Sequence, residues 1–188
     1  VPEGSTRLYG GMESQDIFVE VGHGPTLIDN NIMLSPYGLR IATEGVALVH
    51  NLILGSFTMV GSGVDNWVDG REQRRYTPYH IRHRTEVAGF MTILHGDNRF
   101  YNNIFVQGFP ITNEEPKESP FYQQVGTHVW DEYPTYEEWI ARFDMEVPKP
   151  DMGKLESPHF GHLPVWADGN VYLAGAKAWV KEQHKLVD

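Results

Sequence analysis

A chain of 188 residues, 40% hydrophobic and 21% charged, has the composition of a folded domain with a sizeable core rather than of a disordered segment. Its 15 Lys and Arg against 25 Asp and Glu give a net charge of −10, which argues against nucleic acid and suits neutral sugars better. With no cysteine, disulfides and thiolate chemistry are excluded, and no apolar run approaches the roughly 18 residues of a membrane span.

Any catalysis must therefore use carboxylates, histidines, hydroxyls, lysines or a metal. A soluble chain is expected, cytoplasmic or secreted in a bacterial-type cell. It opens at Val1 in repeat-like sequence, which reads as a fragment or processed chain of a larger enzyme.

In chain order, residues 1–15 hold one short strand candidate, Thr6 to Tyr9. Asp16 to Val21 is a strand, apolar on both faces except for Glu20. Gly22, Gly24 and Pro25 break it, Thr26 to Ile28 resumes it, and Asp29-Asn30-Asn31 turns a corner. The pattern returns as Leu39 to Ile41, a corner at Thr43-Glu44-Gly45, Val46 to Val49, a corner at His50-Asn51, and Leu52 to Leu54. The segment His23 to Leu34 recurs as His95 to Val106, with shorter cousins at 49–54 and 168–173.

Asn31 and Asn51 lie 20 residues apart, about one coil of a parallel β-helix in which three short strands close a triangle. In such a stack Asn31, Asn51 and Asn103 form a hydrogen-bonded ladder that satisfies corner backbone. Residues 56–88 read as a long loop insertion with a functional role, because such loops are uncommon otherwise. Residues 109–162 form an irregular, proline-rich excursion holding one short helix near 136–143, capped by Thr135 with Glu138 closing the box. Residues 163–188 return to strand, turn and strand and end in a charged tail. The division expected is thus 1–108 for the coils, 109–162 for the excursion and 163–188 for the last turn.

Among candidate site residues, Glu20 stands out. Its apolar neighbours would keep a carboxyl protonated, as a general acid requires, and the alternative is an outward structural carboxylate. His23 beside Gly24 either bonds corner backbone, orients a carboxylate or contacts a ligand. His80 and His83 have a weak metal spacing that Pro78 makes poorly helical. Tyr79, His80, His83 and Glu86, with Tyr76 and Trp67, are better read as walls of a sugar pocket, against the alternative of a solvated loop. No metal or cofactor is expected.

Several segments together resemble a known family. They are Asp16 to Pro25 with Glu20 and His23, Asp29 to Pro36, Glu44-Gly45 with His50-Asn51-Leu52, Tyr76 to His80, Thr85 to Gly89, Gly96 to Val106 and Asp168 to Tyr172. The chain is similar to the C-terminal part of the right-handed parallel β-helix glycoside hydrolases of family 120, which are β-xylosidases. The resemblance implies a retaining exo-glycosidase on β-xylosides or related pentosides. Glu20 would be its acid/base, and the nucleophilic aspartate would lie on a coil upstream of Val1. The partners it implies are a glycoside substrate and the N-terminal part of the same β-helix, in the same or a separate chain. Left open beside it are a non-catalytic carbohydrate-binding or assembly β-helix and a polysaccharide lyase.

Overall fold

The computed structural model describes residues 15–19, 22–59, 66–68, 71–73, 76–81, 84–117, 119, 121–143 and 161–188. These are mostly strands, with one short α-helix, so the class is all-β. The expected strand at Thr6 to Tyr9 lies outside the described residues.

The strands β1 (Gln15–Val19), β2 (Thr26–Asp29) and β3 (Ile32–Met33) each start a different sheet, and β4 (Tyr37–Ile41), β5 (Val46–Val49) and β6 (Leu52–Ile53) pair with them in parallel in the same order. Then β7 (Ser56–Met59) joins β4 in the first sheet. Two antiparallel pairs follow, β8 (Asn66–Val68) with β9 (Arg71–Gln73) and β10 (Tyr76–His80) with β11 (Val87–Thr92). The path resumes with β12 (Asn98–Tyr101) on β5 and β13 (Ile104–Val106) on β6. After a 3₁₀ helix at Thr127–Trp130 and α1 (Tyr136–Ile140), β14 (Val165–Asp168) pairs with β12, β15 (Asn170–Leu173) with β13, and β16 (Lys185–Val187) with β15. The sheet orders are β1-β4-β7, β14-β12-β5-β2 and β16-β15-β13-β6-β3.

Parallel register stacks like positions on like positions, and the core follows from this. Ile28 lies beside Leu48 and Leu48 beside Phe100, while Met33, Ile53, Phe105 and Tyr172 line up across the third sheet. Apart from Ile28, the six core side chains just named are almost completely buried, and the Phe105 and Tyr172 rings stack at 5.0 Å. Outward positions such as Leu27 and Ile32 remain exposed.

Three differences from the sequence reading have physical causes. The departure expected over 56–88 begins after β7, because Ser56 to Met59 still pair with β4 in the first sheet, with Ser56, Phe57 and Thr58 buried. The excursion at 109–162 is not wholly irregular: Gln124 to Trp130 are buried, the 3₁₀ helix lies against β7, and the Trp130 ring packs on Phe100 at 4.6 Å and Phe57 at 5.8 Å. The tail expected at 177–188 returns as β16, which pairs through its backbone although its side chains are exposed.

Thr135 caps α1 as expected: its hydroxyl accepts from the Glu138 N–H at 3.2 Å, and the Glu138 carboxylate accepts from the Thr135 N–H at 2.9 Å. A hydrogen bond from Lys181 at 2.5 Å, with the Thr135 amide, holds the Glu138 carboxyl below its ordinary range.

His128, on the 3₁₀ helix, bonds the Tyr122 hydroxyl through Nε2. Burial lowers its pKa to about 4, with Asp131 opposing and Lys117 and Lys177 adding to the shift. The folded chain therefore keeps this imidazole neutral where an unfolded one, near 6.5, takes a proton. Stability from this residue is complete above about pH 6.5 and is lost as pH falls toward 4, by on the order of 3 kcal/mol. Urea denaturation at several pH values should show that loss, and His128→Gln should flatten it; an unchanged pH slope in the variant would remove His128 as its source.

Candidate functional site

The segments that lead into the strands of the second sheet lie one above another. Thr26 N–H donates to Gly45 O at 2.9 Å, Gly45 N–H to Gly96 O at 3.0 Å, and Leu163 N–H to His95 O at 2.9 Å. Thr43 Oγ1 adds a bond to Gly22 O at 2.5 Å. The backbones approach so closely here that a Cβ on Gly24, whose φ is +67°, would sit 2.7 Å from Gly45 O.

This close stacking places His23, on the first loop, beside Glu44, on the second. His23 Nδ1 and Glu44 Oε1 are 2.6 Å apart, and each side chain is only 10% exposed. The other carboxylate oxygen, Oε2, accepts the Leu94 N–H of the third loop at 2.9 Å. His23 Nε2 is buried and has no hydrogen-bond partner among the described residues. The Tyr79 ring, from β10, meets the imidazole edge to face with centroids 5.9 Å apart.

Of the residues singled out from the sequence, His23 and Tyr79 come together here. His80 is exposed and donates from Nδ1 to Thr85 O at 3.1 Å; Glu86 is exposed and pairs with Arg84 at 3.2 Å. Glu20 and His83 lie outside the described residues, as do the side chains of Tyr76 and Trp67. No cluster of three His, Asp or Glu side chains able to hold a metal ion occurs among the described residues.

Glu44 did not stand out from the sequence as a site residue, because it reads as one letter of a Thr-Glu-Gly corner. Its spacing of 21 residues from His23, close to the 20 between Asn31 and Asn51, is the signal that pairs them.

A second corner, between the second and third sheets, is structural. Each rung follows a residue in the left-handed region, Asn30, His50, Asn102 or Gly169. Asn31 Nδ2 donates to Asn51 Oδ1 at 3.1 Å, Asn51 Nδ2 to Asn103 Oδ1 at 3.0 Å, Asn103 Nδ2 to Asn170 Oδ1 at 3.0 Å, and Asn170 Nδ2 to Glu182 Oε1 at 2.8 Å. Each rung's backbone N–H donates to the same acceptor oxygen. Glu182 is buried, and its second oxygen accepts the Tyr172 hydroxyl at 2.6 Å; burial, and then this bond, hold that phenol far above its ordinary range.

A hollow of about 350 Å³ lies on the outer face of the second sheet, lined by Tyr101, Tyr136, Trp166, Asp168, Lys181 and His184. The Arg99 guanidinium already covers Trp166 at 4.3 Å, and Asp168 is paired with His184 at 2.8 Å. Its main platform and its carboxylate are thus engaged within the protein.

Neither protein-family models nor curated proteins give a match to this chain. A solved structure described as the complex structure of XylC with xylose does match, with a TM-score of 0.69 and 36% identity. The match covers 92% of this chain and 23% of XylC, so this chain spans about a quarter of that protein's length. Over nearly all of its residues, the chain is similar to one part of a protein that has been solved with xylose bound.

Proposed function

We propose that the chain is part of a retaining exo-glycosidase that hydrolyses β-xylosides or related pentosides. The observation that carries this reading is the 36% identity to XylC, solved with xylose, over 92% of the chain. The cyclic return of the strands to three parallel sheets supports the finer architecture proposed with it, a right-handed parallel β-helix.

In this reading Glu20, which follows β1 in the chain, is the general acid/base, and the nucleophilic aspartate belongs to a coil upstream of Val1. Strands one coil apart lie about 4.8 Å from each other. That spacing suits two carboxyls about 5 to 5.5 Å apart, as a retaining mechanism requires. The aspartate attacks the anomeric carbon while Glu20 gives its proton to the leaving oxygen. Glu20 then takes a proton from water as that water displaces the aspartate. His23 and Tyr79 contact the sugar, with His80, His83 and Glu86 of the insertion placed around it.

The test is hydrolysis of an aryl β-xyloside by the intact protein, with the first-formed anomer of xylose read by NMR before it equilibrates. β-Xylose first is the expected result. α-Xylose first would exclude a retaining mechanism, and xylose binding with no hydrolysis would reduce the role to recognition.

A further inference from the structure

We propose that Glu44 is a positioning residue: it locks His23 with the proton on Nδ1 and so presents Nε2 as a hydrogen-bond acceptor to a sugar hydroxyl. The sugar as ligand rests on the glycosidase reading above; the locking rests on geometry alone.

Both oxygens of Glu44 are committed, one to His23 Nδ1 at 2.6 Å and one to the Leu94 amide at 2.9 Å. Neither side chain of the pair is more than 10% exposed, so water competes little for either bond. The Leu94 N–H can only donate, and this fixes how the carboxylate is held. The imidazole is the adaptable partner, since it can carry its proton on either nitrogen. Facing an acceptor at Nδ1, the neutral ring must leave Nε2 bare. That nitrogen is buried and unpartnered among the described residues, a condition native proteins rarely leave without use. The Tyr79 ring, edge to face with the imidazole at 5.9 Å between centroids, gives the place an aromatic wall, and Tyr79 is itself half-exposed, so the place adjoins solvent. A bare ring nitrogen beside an aromatic wall suits a ligand rich in hydroxyl donors.

Glu44→Gln reverses the hydrogen-bonding pattern that faces His23. A carboxamide offers one acceptor and one donor where the carboxylate offered two acceptors. The Leu94 N–H claims the oxygen, so the NH₂ faces His23 Nδ1, which must then give up its proton to Nε2. The substitution therefore turns Nε2 from acceptor into donor with little change of shape.

The experiment is a long-range ¹H–¹⁵N correlation spectrum of the intact protein labelled in histidine, at mildly alkaline pH where imidazole is neutral. His23 is assigned by the loss of its signals in His23→Gln. Expected are a protonated Nδ1 and a bare Nε2 in the wild type, the reverse in Glu44→Gln, movement of the wild-type Nε2 signal on adding xylose, and xylose affinity about tenfold weaker in Glu44→Gln. A wild-type His23 protonated on Nε2 overturns the proposal, and this reading needs no variant to fold. An unchanged tautomer in a folded Glu44→Gln also overturns it. The expected tautomers with no response to xylose overturn the sugar as the ligand at Nε2 and leave the locking by Glu44 in place.

Discussion

Glu20→Gln in the intact protein should lower the turnover of xylosides with alkyl leaving groups by about a thousandfold, within the range that a positioned proton donor contributes. An alkoxide leaves poorly unless it is protonated as the bond breaks, and a carboxamide has no proton to give. A dinitrophenyl leaving group departs as a stable anion, so its release should fall far less. The second step should then limit turnover, because water attacking the glycosyl-enzyme has lost its base. Azide needs no base, so adding it should restore turnover of the activated substrate and yield β-xylosyl azide. The pair of measurements separates a lost acid/base from a damaged fold, which would depress both substrates alike. Full activity on alkyl xylosides in Glu20→Gln would remove Glu20 from the chemistry.

Asn103→Leu should destabilise the fold by about 4 kcal/mol, a large part of the 5 to 15 kcal/mol typical of a domain. The side chain is fully buried and sits in the middle of the ladder. Its Oδ1 accepts the Asn51 N–H at 3.0 Å and the Asn51 Nδ2 at 3.0 Å, and its Nδ2 donates to Leu48 O and Asn170 Oδ1, both at 3.0 Å. Leucine has the same branched shape and the same number of side-chain heavy atoms but is bulkier, so it leaves no room for water to replace these bonds. The Asn51 N–H is then buried with no acceptor, at a cost of about 1 to 3 kcal/mol in addition to the bonds lost. Asn31→Leu, at the exposed start of the ladder, should cost about 1 kcal/mol or less. Urea denaturation of the two variants, followed by tryptophan fluorescence, makes the comparison. Equal losses at the two positions would mean that burial does not set the ladder's worth.

Much of this architecture could be read from residue order. The 20-residue interval between Asn31 and Asn51 is the spacing at which β5 and β6 pair in parallel with β2 and β3, and Val46 to Val49 is a strand to the residue because glycine and histidine bound it. The capping box at Thr135 is a local pattern and needs no tertiary context. Other elements are set by packing that no local pattern carries. Ser56 to Met59 follow Gly55 directly and were hidden by the 52 residues separating Asn51 from Asn103. The 3₁₀ helix at Thr127–Trp130 has neither helical nor strand periodicity, and it is placed by the fit of Trp130 among Phe57 and Phe100. Lys185 to Val187 are exposed and pair by backbone alone, so their side chains hold no sign of a strand. At the candidate site, His23 and Tyr79 were legible as residues, but the partner that orients His23 was not. A bond between residues 21 positions apart shows only when the loops are stacked.

The asparagine ladder has a direction. Every side-chain amide from Asn31 to Asn170 donates toward the next rung, and turning one over would set two carbonyls face to face on one side and two NH₂ groups on the other. The rungs therefore keep a common orientation, and their amide dipoles add, with the positive ends pointing toward Glu182. This is the arrangement that favours an acidic side chain at the N-terminus of a helix, built here from side chains instead of backbone. It supplies a physical reason for a carboxylate to be buried at the last rung: Glu182 sits where the aligned amides are most positive, and, as a pure acceptor, it sets the orientation of all four amides before it.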